Sequence, residues 1–287
     1  MKEIYYKVAD HVFALEIEES DRDLLCDLRQ YEPFVTDPTE DTVFRLRVSR
    51  KQANTKGFVQ EVEQNDGAQS IHAGRIGMHP CFMFLWQGAL KAVLVCNKDF
   101  QKGDVYVDDY NLFGINNAVM VLYALATANR RTALFHSSVV SFKDNAYMFL
   151  GPSGTGKSTH ARLWLEHIEG TELVNDDNPV VRVLDDGSIR VYGSPWSGKT
   201  PCYRNVSYPV GAIVMLRQAP RNIIVRLRPT EAFAALVDSI SGMRWNQMIA
   251  KGLYETEVNI IAHVMICHLD CLPDEEAARL CMFNVSG

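Results

Sequence analysis

Short alternating or wholly apolar runs fill the first hundred residues, among them His11-Val12-Phe13-Ala14-Leu15-Glu16-Ile17, Val43-Phe44-Arg45-Leu46-Arg47-Val48 and Lys91-Ala92-Val93-Leu94-Val95. Turn-rich segments separate them, which predicts a strand-rich region from Tyr5 to about Val107. Phe82-Met83-Phe84-Leu85-Trp86, then Gln87-Gly88-Ala89 and another apolar run, read as a hairpin with a short glycine-containing loop. After Tyr110 the period lengthens. Leu112, Ile115, Val119, Leu122, Tyr123 and Ala126 recur every three or four residues and predict a helix ending near Asn129-Arg130-Arg131. Two apolar runs follow, Ala133 to Val140 and Ala146 to Leu150, separated by the turn Lys143-Asp144-Asn145. The change of period divides the chain into a region 1–110 and a region 111–287.

The length of 287 residues suits one large or two modest domains. An apolar fraction of 47% with 22% charged residues is that of a folded globular chain. The net charge of −6 supplies no general basic field, so nucleic acid is not an expected partner. The apolar stretch Cys81 to Cys96 is shorter than the roughly 20 residues a membrane helix needs, and the opening Met1 to Lys7 lacks the apolar core of a leader. No membrane partner is expected. Seven scattered cysteines, many in apolar runs, suit reduced thiols and a cytoplasmic setting.

The second of the two apolar runs leads directly into Gly151-Pro152-Ser153-Gly154-Thr155-Gly156-Lys157-Ser158-Thr159, a match to G-x-x-x-x-G-K-[ST]. A helical pattern at Ala161, Trp164, Leu165 and Ile168 follows, so strand, loop and helix stand in the required order. Glycines let successive N–H groups turn towards phosphate oxygens, and a helix N-terminus adds positive potential. On this reading Gly151, Ser153, Gly154, Thr155, Gly156 and Thr159 line the phosphates, Lys157 contacts the β- and γ-phosphates, and the Ser158 hydroxyl ligates Mg²⁺.

Phosphoryl transfer also needs a carboxylate for the metal, and transfer to a hydroxyl benefits from a base. Asp185-Asp186-Gly187 lies between two alternating runs and reads as a hairpin turn. Asp176-Asp177 follows the apolar step Leu173-Val174, where a strand end would aim carboxylates at the phosphates; a solvated Asp-Asp-Asn-Pro turn explains the spacing equally well. His136 is a site candidate or a hydrogen-bonded core histidine. Lys199 and Arg204 could clamp a nucleotide or an acceptor phosphate, or sit on a solvated loop. Cys267-His268, Cys271 and His263 are metal-ligand types, but the apolar residues around them argue for buried structure. Leu272-Pro273-Asp274-Glu275-Glu276 opens a last helix through Leu280 and Cys281.

The order His136, Gly151 to Thr159, then Leu173-Val174-Asn175-Asp176-Asp177 resembles the C-terminal domain of HPr kinase/phosphorylase and its relatives of the phosphoenolpyruvate carboxykinase-like fold. Tyr192-Gly193-Ser194-Pro195-Trp196-Ser197-Gly198-Lys199 is similar to small HPr-kinase-related bacterial proteins. The resemblance spans about residues 110 to 287. It implies a mixed α/β chain, a phosphoenolpyruvate carboxykinase-like P-loop core with a strand-rich N-terminal region. It also implies that Asp176 and Asp177 supply a metal ligand and a catalytic carboxylate, with His136 in the same site. The glycine-rich signature of the bifunctional enzyme has no counterpart here, and a phosphoenolpyruvate carboxykinase is considerably longer.

The expected function is therefore that of a kinase using ATP and Mg²⁺ to phosphorylate a hydroxyl on a protein, peptide or small molecule, with Asp176, Asp177, His136 and Lys157 as the catalytic set. A nucleotide-responsive regulatory protein and a simple NTP hydrolase stay open as alternatives. The identity of the acceptor, the role of residues 1–110 and assembly into a homo-oligomer stay open as well.

Overall fold

The alternating runs of the first hundred residues pair into one sheet. A computed structural model describes residues 1–18, 28–107, 112–198 and 200–286, and shows a mixed α/β chain with two large mixed sheets. Contacts divide it into two compact units, Met1–Thr127 and Ala128–Gly287.

In the first unit, β1 (Lys2–Val8), β2 (His11–Ile17), β3 (Val35–Thr36), β4 (Arg45–Ser49), β5 (Phe58–Asp66), β6 (Gln69–Ile76), β7 (His79–Trp86), β8 (Ala89–Cys96) and β9 (Lys102–Val107) lie in the order β3-β1-β2-β4-β9-β8-β7-β6-β5. The β2–β4 and β4–β9 pairs are parallel and the rest antiparallel. The expected β7–β8 hairpin is present, and its turn residues Gln87 and Gly88 both take positive φ, the twist that suits a two-residue hairpin loop. Helix α1 (Leu112–Thr127) packs on β7, β8 and β9. A Cβ on Gly114 would come within 2.5 Å of the Ala92 Cβ, so glycine is what allows the helix this close to β8. The helix therefore belongs with the strands before it, and the division falls at 127/128 rather than at 110/111.

With the three-residue turn that follows it, α1 is long and apolar enough to cross a membrane, yet 61% of that window is buried inside the fold. A core helix passes the same test.

The second unit holds β10 (Thr132–Leu134), β11 (Ser137–Phe142), β12 (Asn145–Leu150), α2 (Lys157–His167), β13 (Glu172–Asn175), β14 (Val180–Val183), β15 (Ile189–Tyr192), β16 (Ser207–Gln218), β17 (Ile223–Arg226), α3 (Pro229–Val237), α4 (Gln247–His263), β18 (Met265–Cys271) and α5 (Glu275–Val285). Its sheet runs β10-β14-β15-β16-β12-β11-β13, with β18 also on β16 and β17 on β18. Strands β12, β16 and β18 are parallel, and β13 points the same way after two antiparallel steps through β11. Trp164 of α2, fully buried, packs on Phe142, Tyr147 and Phe149 of one sheet face, in a core shared with Val140, Val214, Leu269 and Cys281.

The run Ala133 to Val140, expected as one strand, is two. Leu134 pairs with Val180 on β14, whereas Ser137 pairs with Leu150 on β12, and the chain shifts between them at Phe135-His136. Both halves are buried on both faces, so hydrophobicity alone carries no mark of the break. Asp185-Asp186-Gly187 is the hairpin turn between β14 and β15. The expected last helix is α5, capped by the Asp274 side chain accepting from the Ala277 N–H at 2.9 Å. Cys267 and His268 lie within β18; among the described residues no three His, Cys, Asp or Glu side chains are grouped to hold a metal, and the six described cysteines are all unpaired.

Candidate functional site

Three neighbouring strands bring the candidate residues to one edge of the second sheet. Leu150, the last residue of β12, lies opposite Ser137 on β11, and the Ser137 N–H donates to the Asp177 carbonyl just beyond β13 at 2.9 Å. Adjacent strands are about 4.8 Å apart, so the Asp177 backbone stands roughly 10 Å across the sheet from the entrance of the 151–159 loop. That edge is the carboxyl end of parallel strands, where ligands of open α/β sheets bind.

The loop has the backbone its glycines permit, with φ of 146° at Gly151, 80° at Gly154 and 103° at Gly156, the residue that precedes α2. Pro152, Ser153, Gly154 and Ser158 are exposed, while Thr155, Gly156, Lys157 and Thr159 are half-buried. Thr155 bonds back to the Pro152 carbonyl through both its N–H and its hydroxyl. The Lys157 ammonium donates to the carbonyls of Gly151 at 2.8 Å and Pro152 at 3.3 Å. From the end of β16, the Gln218 amide donates to the Gly154 carbonyl at 3.2 Å and the Thr155 carbonyl at 3.5 Å.

Strand β13 carries a bulge just before the aspartates: Val140 pairs with Leu173 but Val139 pairs with Asn175, leaving Val174 as an extra residue. Beyond it, Ser138 meets Asp176 and Ser137 meets Asp177. The Ser138 hydroxyl donates to Asp176 Oδ1 at 2.8 Å, and both residues are buried. The second Asp176 oxygen is enclosed and has no hydrogen-bond partner among the described residues. Asp177 is about one-third exposed, and its carboxylate lies 3.0 Å from His136 Nδ1. His136 is anchored by its own N–H, which donates to the Ser239 carbonyl in the α3–α4 connection at 2.7 Å. His136 and Asp177 thus form a pair open to solvent, beside an Asp176 closed off from it.

The turn is braced from below. Asn175 Oδ1 accepts from the Asp177 N–H at 2.9 Å, and its amide donates to Ser194 Oγ at 3.1 Å and the Trp196 carbonyl at 3.3 Å. The segment after β15 passes so close that a Cβ on Gly198 would lie 3.0 Å from the Asp176 carbonyl oxygen and 3.2 Å from the Asp177 Cβ.

Not every sequence candidate gathers here. Arg204 was expected to hold a phosphate; its guanidinium instead donates to the Glu172 carboxylate and the Leu173 carbonyl, both at 2.7 Å. Glu172 is opposite Ser141 and Asp176 meets Ser138, so with the bulge between them the two stand three β11 residues apart, roughly 10 Å along the sheet. Lys199 lies outside the described residues. Ser138, Asn175 and Gln218 had no role assigned from sequence, because their parts depend on cross-strand register. His160, one turn into α2, is buried against Phe149 and accepts from Trp164 Nε1 at 3.2 Å; burial pushes its pKa down to about 4.

The donor set fits a magnesium-bound nucleotide. Mg²⁺ usually takes one or two carboxylates and completes its shell with phosphate and water, and Asp176 offers an enclosed oxygen lacking a hydrogen-bond partner among the described residues. The exposed start of α2 offers orphan N–H groups and the Ser158 hydroxyl.

The protein-family model described as "SynChlorMet cassette protein ScmC" matches residues 94–269, more than half of the chain. No curated protein matches. Among solved structures, the Hpr(Ser) kinase/phosphatase from Coxiella burnetii is similar at 11% identity, over 54% of this chain and 99% of that one, with a TM-score of 0.31. That overlap is too loose to bear on the chemistry of the site.

Proposed function

The chain belongs to the SynChlorMet cassette protein ScmC family, whose name states no chemistry, and from the site itself we propose that it is a kinase using ATP and Mg²⁺ to phosphorylate a hydroxyl on a protein, peptide or small molecule. The observation that carries this reading is the register across β12, β11 and β13, which aligns the glycine-rich loop with Asp176 and the His136–Asp177 pair on one sheet edge.

In this reading the loop backbone and Lys157 hold the β- and γ-phosphates, and Ser158 and Asp176 hold Mg²⁺, which when bound neutralises charge on the transferring phosphoryl group. Asp177 accepts the proton of the acceptor hydroxyl, because it is the aspartate open to solvent and its neighbour His136 orients it. The hydroxyl oxygen bonds the γ-phosphorus as the bond to the β–γ bridging oxygen breaks, and ADP leaves.

Transfer of label from γ-labelled ATP to candidate acceptors tests it. Asp177→Asn is expected to slow transfer by about 10²- to 10⁴-fold with nucleotide affinity nearly unchanged; equal rates would remove the proposed base. A second reading, NTP hydrolysis, draws on Gln218, an amide at the loop of the kind that orients an attacking water. It requires phosphate release without an acceptor, lost in Gln218→Ala.

A further inference from the structure

We propose that Ser138 is a positioning residue for divalent-cation binding, acting through Asp176; the inference rests on the kinase reading above. The Ser138 side chain is fully buried on β11, and its hydroxyl donates to one oxygen of Asp176 at 2.8 Å. The other oxygen is enclosed and has no hydrogen-bond partner among the described residues. A carboxylate kept from water with one oxygen bare is costly, and a cation at that oxygen removes the cost. By engaging Oδ1, Ser138 fixes the rotamer of Asp176 and leaves Oδ2 as the coordinating atom.

The sheet places Asp176 on the side of the phosphate-loop helix. Ser138 is opposite Phe149, so the two share a sheet face. The Phe149 ring meets His160 with centroids 4.7 Å apart, in the first turn of α2, the helix that Lys157 and Ser158 begin. Asp176, held by Ser138, therefore belongs to the face covered by the phosphate-loop helix. Ser138 is the outer partner that orients a ligand, a role whose removal typically costs 10- to 100-fold in metal affinity.

The test is a Mn²⁺ titration of the full chain, read as free Mn²⁺ by electron paramagnetic resonance, with a non-hydrolysable ATP analogue present. Ser138→Ala should weaken Mn²⁺ binding about 10- to 100-fold and leave analogue affinity in EDTA unchanged. Ser138→Thr, which keeps the hydroxyl, should recover most of the loss. In an Asp176→Asn background, Ser138→Ala should add nothing, since a residue acting only through Asp176 has no further effect once that carboxylate is gone. Should the alanine variant melt early, Ser138→Cys, close in volume but a weak donor, carries the same comparison. Wild-type Mn²⁺ affinity in Ser138→Ala, or a full additional loss in the Asp176→Asn background, overturns the inference and leaves the kinase reading intact. A wild-type chain that binds no nucleotide overturns that reading and this inference with it.

Discussion

Burial of His160 ties the stability of the second unit to pH. Its imidazole is neutral in the fold, with a pKa near 4 against 6.5 for the free side chain. Below 6.5 the unfolded chain takes up a proton that the native state refuses, so stability present above pH 6.5 is lost as pH falls towards 4. The loss is about 2 kcal/mol at pH 5. Denaturation midpoints at pH 8 and pH 5 should differ more in the wild type than in His160→Gln. Two further residues separate site from scaffold. Arg204→Ala removes a partly exposed ion pair, so it should cost about 1 kcal/mol or less and leave nucleotide affinity unaltered by equilibrium binding; a strong loss of binding would return Arg204 to the site. Gly198→Ala pushes a methyl group against the Asp176 carbonyl and the Asp177 side chain and should lower transfer about 10- to 100-fold while nucleotide binding persists.

Elements whose signals are local were legible in the sequence. The strand Ala146 to Leu150, the glycine loop and the helix after it needed only neighbours in the chain to be recognised, as did the Gln87-Gly88 hairpin and the helix capped by Asp274. Asp274→Ala should cost about 1 kcal/mol, because α5 buries Ala277, Ala278, Cys281 and Val285 in the core of the second unit and needs its first turn to do so. Thermal denaturation would read this as a fall of about 2–4 °C. What stayed hidden depends on pairing. No hydrophobic contrast marks the break at Phe135-His136, and the bulge at Val174 offsets the alternation of β13, so the partners of Asp176 and Asp177 could not be assigned by counting.

For the molecule as a whole, the helical period after Tyr110 revealed a helix but not its allegiance, which rests on the fit of Gly114 against Ala92. Residues 128–287 contain the whole candidate site and a core of their own. Produced alone, they should melt cooperatively and bind ATP with the affinity of the full chain; a fragment that folds but fails to bind would assign part of the site to residues 1–127. The bulge at Val174 has a consequence for chain length. It is one residue of slack, since removing Val174 would still leave Ser138 opposite Asp176 and Ser137 opposite Asp177. What would go is the buried Val174 side chain and the carbonyl that accepts from Cys202 Sγ at 3.5 Å, not the facing of the carboxylates. The strand can thus shorten by one just before its carboxylates and keep them facing the same neighbours, whereas one residue lost between His136 and Ser138 would leave one of the two aspartates without its partner.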